Sequence, residues 1–351
     1  MSTMTLPILN QNDNRKVLSY WLFFVALMVF IMVIIGGLTR LTHSGLSMVS
    51  WEPLTGWLPP MTTLDWMEVF NAYQKTPEFK KINEGMVLAE FKKIFWLEFF
   101  HRLWGRVIGI VFLFPAIFFT AVGFLKGKLL INIVIIFVFG GLQAFLGWFM
   151  VKSGLVDDPD VSQYRLACHL CLALFIFGYL MWLALSLTNI KEPPVVNWVV
   201  LTSKFLIVLI FSTVFSGALV AGLDAGFAYN TFPLMDGSFI PSGLLDLTPY
   251  YLNFFENIIT VQFNHRFLGL LSFLFIFVFW IITKNGCLSD LQNTVFNFFI
   301  SMSLVQVVLG ISTLLFGVPI WLGVLHQAGA VILFGFSIFL TYTLNGHRDN
   351  C

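Results

Sequence analysis

Eight stretches of the chain stay apolar for about the 20 residues that a bilayer crossing requires. They fall at 18–40, 97–122, 129–151, 164–188, 203–223, 258–283, 294–316 and 320–344, and Pro, Gly and charged residues collect in the gaps. The gap at 41–95 is long and charge-balanced. Inside it Trp66, Val69, Phe70 and Tyr73 make an i, i+3, i+4, i+7 stripe after Thr62 and Asp65, which predicts a short amphipathic helix. Thr76-Pro77 opens a second helix. Such helices either lie on the outer surface and roof a site, or form a packed surface loop.

Composition turns this pattern into a class. Of 351 residues, 58% are hydrophobic and 11% charged, against about 25% charged in soluble domains. The chain is predicted to be an all-α polytopic membrane protein. A net charge of +1 without a dense basic face gives no reason to expect a nucleic-acid partner. Met1 to Lys16 lacks both an apolar signal core and an Arg-rich transit pattern, which favours the bacterial cytoplasmic (inner) membrane over an organelle. Arg15, Lys16, Lys126, Lys128, Lys191, Lys204, Lys284 and Arg348 share one side if both termini are cytoplasmic. The opposite loops, 152–163 and 224–257, carry Asp157, Asp158, Asp160, Asp224, Asp236, Asp246 and Glu256 against Lys152 alone. The four cysteines form no disulfide framework, and Cys168 and Cys171, which flank His169, read as small core residues.

Landmarks recur along the chain. Gly37 to Pro53 and Gly217 to Pro233 have the same span, at an offset of 180. His101-Arg102 returns as His265-Arg266, Gln143-x-x-x-Gly147 as Gln306-x-x-x-Gly310, and His169 as His326. Each half holds an even number of spans, so both halves enter from the same side. This predicts two pseudo-symmetric four-helix bundles related by an axis along the membrane normal. The expected divisions are a cytoplasmic tail at 1–17, one bundle at 18–190 that includes the loop 41–95, a second at 203–344, and a tail at 345–351.

His101, His169, His265 and His326 each open an even-numbered span at its outer end. A lone intramembrane histidine is usually a hydrogen-bonded packing residue; four at matched repeat positions point to ligands that face the bundle interior. Two imidazoles on two helices of one bundle can hold an iron porphyrin from both faces. Zinc or copper would want further Cys, His or carboxylate ligands close by, and each half has too few. Phe99, Phe100, Trp104, Phe263 and Phe267 are candidates to line a flat macrocycle. Arg102, Arg106 and Arg266 either pair with heme propionates or snorkel to the interface. His43 and His347 read as solvated.

Only the first half places a titratable carboxylate three residues before its histidine. Glu98 stands three residues before His101, whereas Gln262 stands three before His265. Glu98 is either a proton-handling or charge-stabilising residue, or half of a structural pair with Arg102.

Together, Gly36-Gly37-Leu38-Thr39-Arg40-Leu41-Thr42, Glu98-x-x-His101-Arg102-x-Trp104-Gly105-Arg106, Asn264-His265-Arg266 and Leu325-His326-Gln327 resemble the heme A synthase family, in its proteobacterial and mitochondrial branch. The resemblance covers about 18–344. It implies oxidation of a porphyrin methyl of heme O to the formyl group of heme A, for cytochrome oxidase assembly. It implies a permanent heme b in one half and the substrate heme in the other. The expectation is heme b on His265 and His326, substrate heme on His101 and His169, catalysis assisted by Glu98, and cofactor contacts from Arg102, Arg106 and Arg266. An electron donor, heme O synthase and oxidase assembly factors are the partners it implies. The cysteine pairs that other branches carry in outer loops do not occur here. Two rival readings are a di-heme electron-transfer cytochrome and a heme carrier.

Overall fold

A computed structural model describes residues 11–52, 55–155, 161–286 and 288–346. Pro53, Asp157, Asp158, Asp160, Cys287, His347, Arg348, Cys351 and the first ten residues lie outside the described residues. The described residues are helical and contain no β-strand, only one isolated bridge. In chain order the helices are α1 (Gln11–Leu41), α2 (Thr63–Tyr73), α3 (Pro77–Lys81), α4 (Leu88–Ala121), α5 (Gly127–Gly154), α6 (Gln163–Ser186), α7 (Asn197–Gly222), the single turn α8 (Asn253–Glu256), α9 (Ile258–Thr283), α10 (Asp290–Leu315) and α11 (Ile320–Asn345). Eight of them, all but α2, α3 and α8, are long and apolar enough to cross a membrane.

Several helices begin earlier than the apolar runs predict. α4 starts at Leu88 rather than 97 because its first turns, with Glu90, Lys92 and Lys93, stand beyond the apolar stretch and find their own packing partner. That partner is α2. The Thr62 hydroxyl accepts from the Asp65 N–H while the Asp65 carboxylate accepts from the Thr62 N–H, a reciprocal cap that starts the helix. Trp66, Phe70 and Tyr73 then pack on Phe91, Phe95 and Phe99 of α4. The Thr76 hydroxyl caps α3, with Pro77 in its first turn. The apolar stripe therefore faces an extended α4, and α2 and α3 form a roof over the first turns of that helix.

The membrane helices pack in corresponding sets. α1 lies against α4 and α6, and α5 against α6; α7 lies against α9 and α11, and α10 against α11 and α9. This arrangement fits two four-helix halves in the order α1, α4, α5, α6 and α7, α9, α10, α11. The halves meet through α1, α6, α7 and α11, leaving α4, α5, α9 and α10 on the outside. Arg40 at the end of α1 crosses this seam, donating to the Ala221 carbonyl at 2.9 Å and to Asp224 at 3.1 Å.

Candidate functional site

The four histidines occupy equivalent seats, each with its ring against a glycine of a neighbouring helix. A β-carbon built on Gly36, Gly147, Gly217 or Gly310 would come within 3.5, 3.1, 2.8 and 2.8 Å of Cε1 of His101, His169, His265 and His326 respectively. The last three distances leave no room for a side chain without moving the imidazole. Three rings are also tethered. His101 Nδ1 lies 3.3 Å from Thr39 Oγ1, His169 Nε2 3.3 Å from Gln143 Nε2, and His326 Nδ1 3.1 Å from Gln306 Nε2. Each glutamine amide also donates to the backbone carbonyl of the histidine it tethers, at 3.0 and 2.9 Å. These glutamines read in sequence only as repeat landmarks; their chemical role is to fix ring orientation.

The residues fit an iron porphyrin. The His265 and His326 rings have centroids 6.2 Å apart and planes at 87°. Two imidazoles on opposite sides of one metal, each bond about 2.0 Å long, place their centroids about 6 Å apart. Nδ1 of His169 and of His265 are buried without a partner. Among the described residues no group of three His, Cys, Asp or Glu side chains could hold a metal ion, so a bare ion is poorly served, whereas a porphyrin brings its own four nitrogens.

Arg102 and Arg266, which follow His101 and His265 directly, each staple a loop. Arg102 donates to the Ser50 carbonyl at 2.7 Å and the Met48 carbonyl at 2.8 Å; Arg266 donates to the Thr231 carbonyl at 2.8 Å and the Tyr229 carbonyl at 2.7 Å. Met48 and Tyr229, like Ser50 and Thr231 and like Gly36 and Gly217, are 181 positions apart. The structural register of this repeat is therefore one residue away from the 180 that aligns Gly37 with Gly217. The Nε atoms of Arg102 and Arg266 remain buried and unpartnered, so one donor of each is left for an anion such as a propionate. Arg102 stacks 4.8 Å over the Trp51 ring, and Arg106 lies 5.8 Å over Trp57 while donating to the Glu52 carbonyl at 2.5 Å. The guanidinium groups are thus tied to loop backbone and do not snorkel freely.

Glu98 and Gln262 sit in equally closed places, at 3% and 2% exposed, so the difference between them is charge and not access to water. Glu98 Oε1 accepts from Arg102 at 2.5 Å, and Oε2 accepts from the Ser47 hydroxyl at 2.7 Å and the Met48 N–H at 2.8 Å. Gln262 instead donates to the Tyr229 carbonyl at 3.0 Å. Ser47 was invisible to motif reading, since it lies 51 residues from the group it serves.

A second carboxyl group lies in the roof. Glu78 is buried, bonded to the Tyr73 hydroxyl, and has Oε2 unpartnered. Asn83 donates to the same hydroxyl at 2.7 Å. Burial raises the Glu78 carboxyl to about 7, and the nearby charge of Glu98 adds to the rise. Tyr73 is pushed upward as well, again chiefly by burial. The roof thus holds a carboxyl group that titrates near neutral pH close to the mouth of α4.

Some expectations are corrected. Phe100 and Phe267 are 52% and 55% exposed and point away from the bundle interior. Phe99 packs under the roof, and Trp104 donates to the Met28 carbonyl at 2.9 Å. Cys168 is exposed and no core residue; with His169 turned inward, its neighbour about 100° around the helix faces out. His43 is exposed, as expected of a solvated residue.

Residues 19–338 match the model of the COX15-CtaA cytochrome oxidase assembly protein family. The heme A synthase of Nitrosospira multiformis is 45% identical to this chain, covering 98% of each protein. That of Parvibaculum lavamentivorans is 44% identical over 94% of this chain and 95% of its own. That of Paramagnetospirillum magneticum is 43% identical over 95% of each. With a model that spans nearly the whole apolar body and relatives this similar over almost full length, the chain belongs to the COX15-CtaA family of cytochrome oxidase assembly proteins.

Proposed function

We propose how this chain, a membrane heme-modifying oxidoreductase of the heme A synthase kind, divides its work. The N-terminal half, 18–190, takes heme O as substrate between His101 and His169. The C-terminal half, 203–344, keeps heme b between His265 and His326. The observation that carries this division is the buried carboxylate one turn before His101, Glu98, set against the neutral Gln262 at the equivalent position before His265. When bound, the heme groups supply the redox chemistry that takes a porphyrin methyl of heme O to the formyl of heme A. The protein's residues hold and orient. The glycine seats and Gln tethers fix the imidazoles, Arg102 and Arg266 each offer one Nε–H to a propionate, and Arg106 braces the outer loop. Glu98, held by three donors, removes a proton from the substrate carbon or stabilises positive charge that develops there.

The relatives are named for synthesis of heme A, which disfavours an electron-transfer cytochrome or a heme carrier. Hemes extracted from membranes that contain heme O are expected to include a formyl-bearing product only when the chain is present. Unchanged heme O in both samples contradicts the reading. An electron donor, heme O synthase and oxidase assembly factors complete the proposed setting.

The same reading places both termini in the cytoplasm and the roof outside the inner membrane, on the basic residues Arg15, Lys16, Lys126, Lys128, Lys191 and Lys284. In a cysteine-free background, Leu64→Cys and Ile240→Cys, at positions 81% and 71% exposed, should be labelled from outside by an impermeant thiol reagent. Lys126→Cys should not be. The reverse pattern would put the site on the cytoplasmic face.

A further inference from the structure

One helix, α1, holds parts of both histidine sites. Its adjacent glycines face different neighbours, about 100° apart around the helix. Gly36 seats the His101 ring of α4, and Gly37 seats the side chain of Gln327 on α11, whose Oε1 a β-carbon would approach to 2.6 Å. Gln327 Nε2 donates to the Val33 carbonyl of α1 at 2.9 Å. Gln327 follows His326 directly, so the neighbour of one histidine grips the helix that seats another. One turn outward, Gly323 of α11 receives Leu41 of α1, with Cδ1 2.8 Å from a β-carbon built there. α1 also tethers His101. The buried Thr39 hydroxyl donates to the Ile35 carbonyl at 2.9 Å. With its one proton used, it accepts from His101 Nδ1 at 3.3 Å, which leaves Nε2 for a metal.

The matching crossing, of α7 with α6, is apolar. The offset of 181 between α1 and α7 matches Val33, Gly37 and Thr39 with Val214, Ala218 and Val220. The offset of 157 between α6 and α11 matches Gln327 with Leu170. Ala218 is buried there, and Leu170 and Val220 pack in its cluster. None of these four side chains can donate or accept a hydrogen bond. Apolar contact is non-directional and tolerates small rotations, whereas the Gln327 amide must keep its angle to the Val33 carbonyl. A shift of α11 is therefore passed to α1 at the polar crossing, while the apolar crossing absorbs the equivalent shift of α6 against α7.

We infer that Gln327 is a positioning residue that couples the two histidine sites through α1. A heme seated between His265 and His326 fixes α11 against α1, and with it the glycine seat and the Thr39 tether of His101. This rests on the reading that each half holds its own heme. The coupling is reciprocal by linkage: occupancy of the His101 and His169 site steadies α1, and Gln327 carries that back to His326. The two sites then fill as a pair, and the N-terminal site is best formed when the C-terminal one is already loaded.

The test follows release of heme b from the full chain in detergent to an excess of a heme-scavenging protein, with the released heme identified by extraction. No turnover is needed. Release is compared between chain that holds heme b alone and chain that also holds heme O. In wild type heme b should leave at least about fivefold more slowly when heme O is present, the low end of common coupling between sites. Gln327→Leu, which copies Leu170, should bring that ratio to within about twofold. The ratio is the readout because a merely structural loss speeds both releases alike. If Gln327→Leu cannot retain heme b, Thr39→Val, which copies Val220, decides the matter, with Thr39→Ser expected to keep the ratio. A ratio that survives Gln327→Leu and Thr39→Val, or a wild-type ratio near one, overturns the coupling. Chain that takes up no heme O at His101 and His169 overturns the division of labour instead, which heme content shows before any release is measured.

Discussion

Glu98→Gln is expected to stop or stall heme A formation while leaving the heme content of the protein nearly unchanged. The C-terminal half supplies the structural control. There a glutamine, Gln262, occupies the equivalent closed position, and Arg266 is held by the Tyr229 and Thr231 carbonyls without any carboxylate. Arg102 has the same two backbone partners, Met48 and Ser50, so it keeps a place when the charge of Glu98 is removed. Loss of one member of a buried ion pair commonly destabilises by about 3–5 kcal/mol; these retained carbonyl bonds should hold the loss below that range. Proton transfer by a placed side chain contributes about 10²–10⁴-fold to rate, and a loss of that size is the expected result. A hydroxylated intermediate that accumulates would place Glu98 in a step after the first oxidation. The reciprocal change, Gln262→Glu, should affect rate far less. A normal rate of heme A formation by Glu98→Gln would reduce Glu98 to a loop anchor for Ser47 and Met48.

Much of this arrangement was legible in the sequence, for identifiable reasons. The eight spans stand out because a bilayer imposes length and apolarity together. The helix at 63–73 was readable from Thr62, Asp65 and the stripe that ends at Tyr73, since capping and periodicity are local signals. Helix starts were less so: Glu90, Lys92 and Lys93 hide the first turns of α4, which are stabilised by α2 and not by lipid. The histidines and arginines could be found as repeated motifs, but what holds them could not. The glycine seats, the tethers from Gln143 and Gln306, and the bonds from Arg102 to the carbonyls of residues 48 and 50 all join positions distant in the chain, and such contacts leave no periodic trace. A clue was present in the recurrence of Gln143 and Gly147 as Gln306 and Gly310. Glu78 gave no signal at all, because only burial under the roof distinguishes it from the other charged residues of the loop.

Heme analysis of purified histidine variants tests the central claim most directly, namely that the halves hold different hemes on separate histidine pairs. The wild-type protein should show a low-spin, bis-histidine spectrum. In the double variant His265→Leu, His326→Leu, both imidazoles proposed to hold heme b are gone, and the paired geometry of 6.2 Å and 87° is lost with them. Heme b should fall to a small fraction of the wild-type content, while heme O supplied to the membrane is still retained. The double variant His101→Leu, His169→Leu should do the opposite, keeping heme b and losing heme O. Full heme b content and an unchanged low-spin spectrum in the His265→Leu, His326→Leu variant would contradict the account.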